Sequence, residues 1–150
     1  MEKKPKNIFH AGAIPPGFIA SSIANHSTNT KIGAHSIFLG QVRNDNINEK
    51  EVASIEYTSY EPMALEKMHE IREMMFDKYE LTCMHVHHSL GNVMAGEISL
   101  FVFTSSKHRR DAIDACNEVV ELIKKDLPVW GKEIFKDGDH VWKKNETPNP

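Results

Sequence analysis

The sequence is short of cysteine, of aromatics and of any excess of one charge. Cys83 and Cys116 are its two cysteines in 150 residues. They are too few for a disulfide framework, are not set at paired zinc-motif spacing, and fit a reducing compartment. Lysine and arginine number 18 against 21 acidic residues, a net charge of −3 with nine histidines counted neutral. The basic excess of a general nucleic-acid binder is missing. No run approaches the ~18 apolar residues of a membrane-spanning helix. The start, Met1-Glu2-Lys3-Lys4-Pro5-Lys6, is charged and has no apolar signal core. The expectation is a cytoplasmic protein with no nucleic-acid and no membrane partner. There is no internal repeat, no glycine-rich phosphate loop and no Ser-His-Asp signature. What is present is an ordinary globular balance, 40% hydrophobic and 26% charged, in a chain long enough for one self-sufficient core.

Periodicity supplies the elements. Residues 1–12 are polar and read as a flexible N-terminal segment, 13–144 as one domain and 145–150 as a flexible tail. Pro15-Pro16-Gly17 introduces a short helix over 18–23. Residues 32–43 and 52–60 read as strands, separated by Asn44-Asp45-Asn46. Pro62 opens a long helix to about Tyr79, with Ala64, Met68, Ile71 and Met75 as its apolar stripe. A strand over 81–88, a turn at Gly91-Asn92 and a central strand over 97–104 come next. A second long helix spans 107–125, with Ile113, Cys116, Val120 and Ile123 on one face, and Pro128 stops it. Short strands at 132–136 and 140–143 flank Asp137-Gly138-Asp139. Strands in adjacent pairs between helices indicate an α+β fold with a mixed or antiparallel sheet, two long helices and a small β subdomain.

Three basic segments could carry anion chemistry, and each has a plainer alternative. In Phe38-Leu39-Gly40-Gln41-Val42-Arg43, alternation puts Gln41 and Arg43 on one strand face. Gly40 admits a close neighbour, and Arg43 can clamp a phosphate or simply be solvated. In Ser105-Ser106-Lys107-His108-Arg109-Arg110, cations sit at a helix N-terminus against the macrodipole, a cost that a bound anion would offset. In the stretch from Lys124 to Glu133, lysines at a helix C-terminus are favourable in themselves. A lysine there does proton transfer only if burial or a neighbouring cation lowers its pKa. His85 and His87 share a strand face, but no Cys, Asp or Glu at a familiar spacing completes a ligand set, so no metal is expected. Cys83 and Cys116 read as buried hydrophobes rather than nucleophiles, and Trp130 as packing.

Together these segments resemble the molybdopterin synthase large-subunit family over residues 12–143. The family's F-x-G-x-V-R is matched by Phe38 to Arg43. Its histidine–arginine pair after a strand ending in serine is matched by Ser105 to Arg109. K-x-x-x-P-x-W-K-[KR]-E is matched by Lys124 to Glu133, and His88 and Gly91 stand where the family has H-x-x-G. The resemblance implies an α/β-hammerhead-like fold and a sulfurtransferase of molybdenum cofactor biosynthesis. Its substrate would be a cyclic pyranopterin monophosphate, converted to the molybdopterin dithiolene. The sulfur would come from the thiocarboxylated C-terminal Gly-Gly of a ubiquitin-like small subunit, with no cofactor. By resemblance, Lys124 and Lys132 are catalytic. Arg43, His108 and Arg109 bind phosphate, and Phe38, Gln41, Val42, Gly131 and Glu133 line the pocket. One departure is Gly131, where the family has a lysine; Lys132 is next to it. An alternative reading is a non-catalytic module that binds the sulfur carrier, and another is a small-anion binder of a different kind. The family assembles as a homodimer of large subunits within a heterotetramer. His108 and Lys124 are 16 positions apart, ~24 Å along a straight helix, so the expectation is that the two ends serve sites shared between protomers.

Overall fold

The structure, a computed structural model, describes residues 7–143; the expected tail over 145–150 lies outside them. A strand apolar on both faces organises the rest. In β6 (Ile98–Ser106), Leu100 and Val102 alternate with Phe101 and Phe103, and all four are buried. Such a strand needs a layer on each side. On one side lie α2 (Glu61–Lys78) and α3 (Arg109–Asp126). Their buried residues, among them Met68, Ile71, Met75, Val119 and Ile123, meet Met84, Val86, Leu100 and Val102 in the main core. On the other side lies α1 (Pro16–His26), whose Ile19 packs with Ile14, Phe101 and Phe103. Burying each such side chain contributes about 1.5–3 kcal/mol.

The sheet order is β2 (Ala34–Gln41), β6, β5 (Leu81–Met94), β4 (Lys50–Ser59), β7 (Val129–Phe135) and β8 (His140–Trp142). All these neighbours are antiparallel. β3 (Asn46–Ile47) pairs with β4, and β1 (Phe9–Ala11) runs parallel to β5. The α+β class with a mixed sheet is as expected. The strands read as a small subdomain instead continue the main sheet through β4.

Four local differences have physical causes. Residues 9–11, expected to be loose with the rest of 1–12, form β1, because Ile8 is buried and the His88 N–H donates to its carbonyl. The turn expected at Gly91-Asn92 is absent: Gly91 takes a positive φ of 85° inside β5, and the chain reverses at Gly96 instead. On α3 the buried face is Ala112, Ala115, Cys116, Val119 and Ile123 rather than one containing Ile113, which is 53% exposed. Ala112 is drawn in because its carbonyl accepts from Thr104 Oγ1 at 2.7 Å and its N–H donates to Ser106 Oγ at 3.0 Å. α1 also runs three residues beyond its expected end, to His26. The α2 stripe of Ala64, Met68, Ile71 and Met75 is buried as read.

Candidate active site

The C-terminal end of α3 meets the sheet where β4, β7 and β8 run side by side. Tyr57 of β4 is paired with Gly131 of β7, and the N–H of Lys143, just past β8, donates to the Gly131 carbonyl at 2.8 Å. Directly opposed residues in antiparallel strands point to the same face. Tyr57, Gly131 and Lys143 therefore face α3 together, and they line a cavity of about 50 Å³ with His88, Ile123, Lys124, Leu127 and Val129. Gly131 is needed for that closeness. A Cβ there would lie 3.0 Å from Ile55 Cγ2 and 3.4 Å from Tyr57 Cε1.

The cavity perturbs the groups around it. Lys124 is open to solvent as a residue, but its ammonium end is crowded by protein. Desolvation first, and then the Lys143 charge, lower its pKa below that of ordinary lysine. His88 is 4% exposed, and burial pushes its pKa down to about 4, against a hydrogen bond from Nδ1 to the Ser89 carbonyl at 2.8 Å. At neutral pH His88 is therefore an uncharged imidazole whose Nε2 carries a lone pair. Tyr57 donates to Ser99 Oγ at 3.2 Å, and burial raises its pKa. Glu133 lies two residues along β7 from Gly131, 7% exposed, and its Oε2 has no hydrogen-bond partner among the described residues. A buried carboxylate oxygen left unpaired costs free energy that a donor from a ligand would recover.

The sequence-predicted residues are not all at this cavity. Lys124, Gly131 and the buried Glu133 are at or next to it. Lys132 is on the opposite face of β7, where its Nζ lies 3.7 Å from Glu56 and 5.7 Å from the centre of the Trp142 ring. Trp130, expected to pack, is 52% exposed. Phe38 and Val42 are packing residues, the first against the main core and the second buried with Ile55 and Val93. Gln41 is exposed. Gly40 does admit a close neighbour, but it is Leu100 Cβ, 3.2 Å from where its own Cβ would stand. Arg43 is 71% exposed and paired with Asp45 at 3.0 Å. His108 and Arg109 are exposed at the other end of α3. Tyr57, His88 and Lys143 are not singled out for this pocket by sequence, except that His88 falls in a family motif. Lys143 is visible only once strand register is known.

A larger cavity, about 290 Å³, runs along the open edge of β5 between Asn7, Arg72, Glu73 and His87. It contains none of the basic residues singled out for anion chemistry.

The profile of the MoaE protein family matches residues 17–126. The molybdopterin synthase catalytic subunit of Pyrococcus abyssi is 35% identical over 112 residues, covering 75% of each chain. That of Aspergillus niger is 40% identical over 113 residues, covering 75% of this chain and 62% of the relative. Among solved structures, molybdopterin synthase from Staphylococcus aureus superimposes with a TM-score of 0.78 at 28% identity, over 93% of this chain and 98% of that one. The complex of subunits 1 and 2 of molybdopterin-converting factor from Helicobacter pylori gives 0.77 at 20% identity, over 92% and 91%, and shares the fold. The chain belongs to the MoaE protein family, whose members here are the catalytic subunits of molybdopterin synthase.

Proposed function

We propose that the Lys124 cavity is where this enzyme transfers sulfur to a cyclic pyranopterin monophosphate, with a thiocarboxylated ubiquitin-like small subunit as the donor. The observation that carries the proposal is a lysine of lowered pKa facing a second lysine across a glycine floor. The cavity is small, about 50 Å³. It suits a glycine carboxylate end, which has no side chain, with the bulk of the pterin held outside. Lys124 and Lys143 would attract the thiocarboxylate and stabilise negative charge as sulfur leaves its carbonyl carbon. A lysine of lowered pKa also exchanges a proton more readily near neutral pH. Neutral His88 accepts a hydrogen bond there without adding charge. In this chain Lys143, rather than Lys132, takes the place opened by Gly131.

Phosphate recognition would use Arg43, His108 and Arg109. α3 is an uninterrupted helix of 18 residues, so His108 and Lys124 at its two ends are ~24 Å apart. One pterin cannot reach both within one protomer. We therefore place His108 and Arg109 of one protomer at the Lys124 cavity of its partner in a homodimer, with a small subunit on each. The fold shared with the two-subunit complex from Helicobacter pylori supports the small-subunit part of this assembly.

The test is single-turnover dithiolene formation from purified chain, thiocarboxylated small subunit and cyclic pterin. Lys143→Ala is expected to lower the rate about 10²-fold, the lower end of the range for a charge-stabilising group. It should also move the Lys124-dependent limb of the pH–rate profile to higher pH, because the cation that lowers the Lys124 pKa is gone. Lys132→Ala should leave both nearly unchanged. An unmoved limb in Lys143→Ala, or a larger loss in Lys132→Ala, would sink this assignment.

A further inference from the structure

The side of the sheet away from the cavity carries a second cluster of reactive side chains. Cys83 and His85 are two residues apart on β5 and face α1, opposite Met84 and Val86, which face α2 and α3. His26 stands in the last turn of α1. One donor atom from each of His26, Cys83 and His85 lies within 4.8 Å of the other two, and all three residues are partly buried. Sequence spacing alone gives no reason to expect a metal, because nothing at a familiar interval joins His85. The fold supplies the missing donors from the same strand and from a helix 59 positions away.

We propose that His26, Cys83 and His85 form a binding site for a single zinc-class divalent ion that pins the end of α1 to the sheet. The hydrogen bonding of His26 fits this. Its Nδ1 is 2.7 Å from the carbonyl of Ser22, which only accepts, so Nδ1 carries the hydrogen. In the neutral ring the lone pair is then on Nε2. A backbone carbonyl that fixes tautomer and ring orientation in this way is the usual outer partner of a metal-bound histidine. Phe103 also holds the ring, with centroids 4.8 Å apart.

That lone pair points at another nitrogen of the same kind, His85 Nε2, 2.9 Å away. Without an ion, and with both rings neutral, His85 carries its hydrogen on Nε2 and donates it. With an ion, the hydrogen moves to Nδ1 and both Nε2 atoms become ligands. Two nitrogens bound tetrahedrally at zinc distances lie ~3.3 Å apart, so the pair has to open by only a few tenths of an ångström. Sulfur and nitrogen ligands of one zinc are ~3.5 Å apart, within the observed 4.8 Å envelope. The Cys83 thiol loses its proton to solvent as the sulfur–metal bond forms, and no electron is transferred. Three protein donors leave a fourth position for water. The cation would stand beside the C-terminus of α1, where the helix dipole favours positive charge. Two nitrogens and a thiolate suit zinc over magnesium or calcium.

A neighbouring pair provides the control. His10 Nε2 is 2.8 Å from His87 Nδ1, but among the described residues no third donor joins it.

The experiment is a titration of the full chain, stripped by chelator under reductant, first with cobalt(II) and then with zinc. One cobalt per chain is expected, with a near-ultraviolet thiolate-to-cobalt charge-transfer band that zinc abolishes. Cys83→Ser should remove the band. His26→Gln or His85→Gln should weaken binding at least tenfold. Cys116→Ser and His87→Gln should keep both band and affinity. Zinc should raise the melting temperature of the parent and of these controls, but not of Cys83→Ser. Absence of one-to-one binding, a band surviving in Cys83→Ser, or affinity indifferent to His26 would overturn the proposal. Activity is not the readout, so the result is independent of the sulfur-transfer reading.

Discussion

At its C-terminal end α3 brings Lys124 into a cavity walled by three strands; at its N-terminal end it holds His108 and Arg109 on open surface. Both ends are basic, and only one is enclosed. The difference comes from the strands that the chain connects to each end. After Leu127 the chain turns directly into β7, and the β4–β7–β8 register sets Tyr57, Gly131 and Lys143 opposite the lysine. Before Arg109 the chain leaves β6 beside the edge strand β2, with no further strand to form a wall. Basic residues at a helix N-terminus are disfavoured by the dipole, whereas the lysines at the C-terminus are favoured by it. Lys124 is therefore in place without a ligand, while the other end is a half-site that gains from an anion brought by another molecule.

The sharpest way to break this comparison is to delete one end at a time. Lys124→Ala is expected to lower single-turnover sulfur transfer by about 10²–10⁴-fold, the range for a proton-transfer or charge-stabilising group, with little change in melting temperature. His108→Ala is expected to act mainly on substrate affinity. Assayed at pterin well below saturation, where both single variants are slow, the two should complement when mixed and re-assembled, because a mixed dimer contains one cavity with both ends intact. Activity returning towards a quarter of the parental value would show that the ends meet between protomers. No recovery, with mixed dimers demonstrated by mass, would place both functions in one chain.

Much of the fold is legible in the sequence because its signals are local. The α2 stripe, the Pro62 start and the Pro128 stop all come from propensity and backbone chemistry, and α2 ends within a residue of expectation. The errors fall where pairing overrides local pattern. Residues 9–11 end a mostly polar segment, yet they become a strand because β5 offers an unpaired edge. Gly91 looks like a turn but lies within a strand. The same division applies to the site. Lys124, Gly131 and Glu133 are neighbours in sequence and are legible together. Lys143 and Tyr57 reach the cavity through register between strands far apart in the chain. Lys132 is a reasonable stand-in for a lysine at 131 by sequence distance, but one step along a strand reverses the face.

Gly131→Lys sharpens the comparison from the enclosed end. If Lys143 already supplies the second ammonium, restoring a lysine at 131 adds a third cation to a small cavity and presses Cβ against Ile55 and Tyr57. The expected outcome is a loss of about 1–3 kcal/mol of stability and no gain in rate. A faster enzyme of equal stability would show instead that the glycine is a defect.

An effect of similar size should appear in acid. The folded pKa of His88 is about 4, against an ordinary value of 6.5. Between those values the unfolded chain holds a proton that the folded chain does not, so stability falls as pH drops from 6.5 towards 4. The full difference is worth about 3 kcal/mol. His88→Gln keeps a donor for the Ser89 carbonyl but cannot titrate, and its stability-against-pH curve should be flatter across that window. An equally steep curve in the variant would assign the acid sensitivity to other groups.

The smallest effect belongs to the exposed residues. Arg43 and Asp45 form an ion pair at 3.0 Å with 71% and 44% of their side chains exposed, so it contributes at most about 1 kcal/mol to stability. Its interest is competition, since the carboxylate occupies the guanidinium that a phosphate would need. Asp45→Asn should leave the melting temperature almost unchanged and tighten pterin binding about twofold, more at low salt than at high, because screening weakens exposed charges. Arg43→Ala should weaken binding with the same salt dependence. If neither variant alters affinity, Arg43 is a solvated strand-end arginine, and recognition of the phosphate falls to His108 and Arg109 alone.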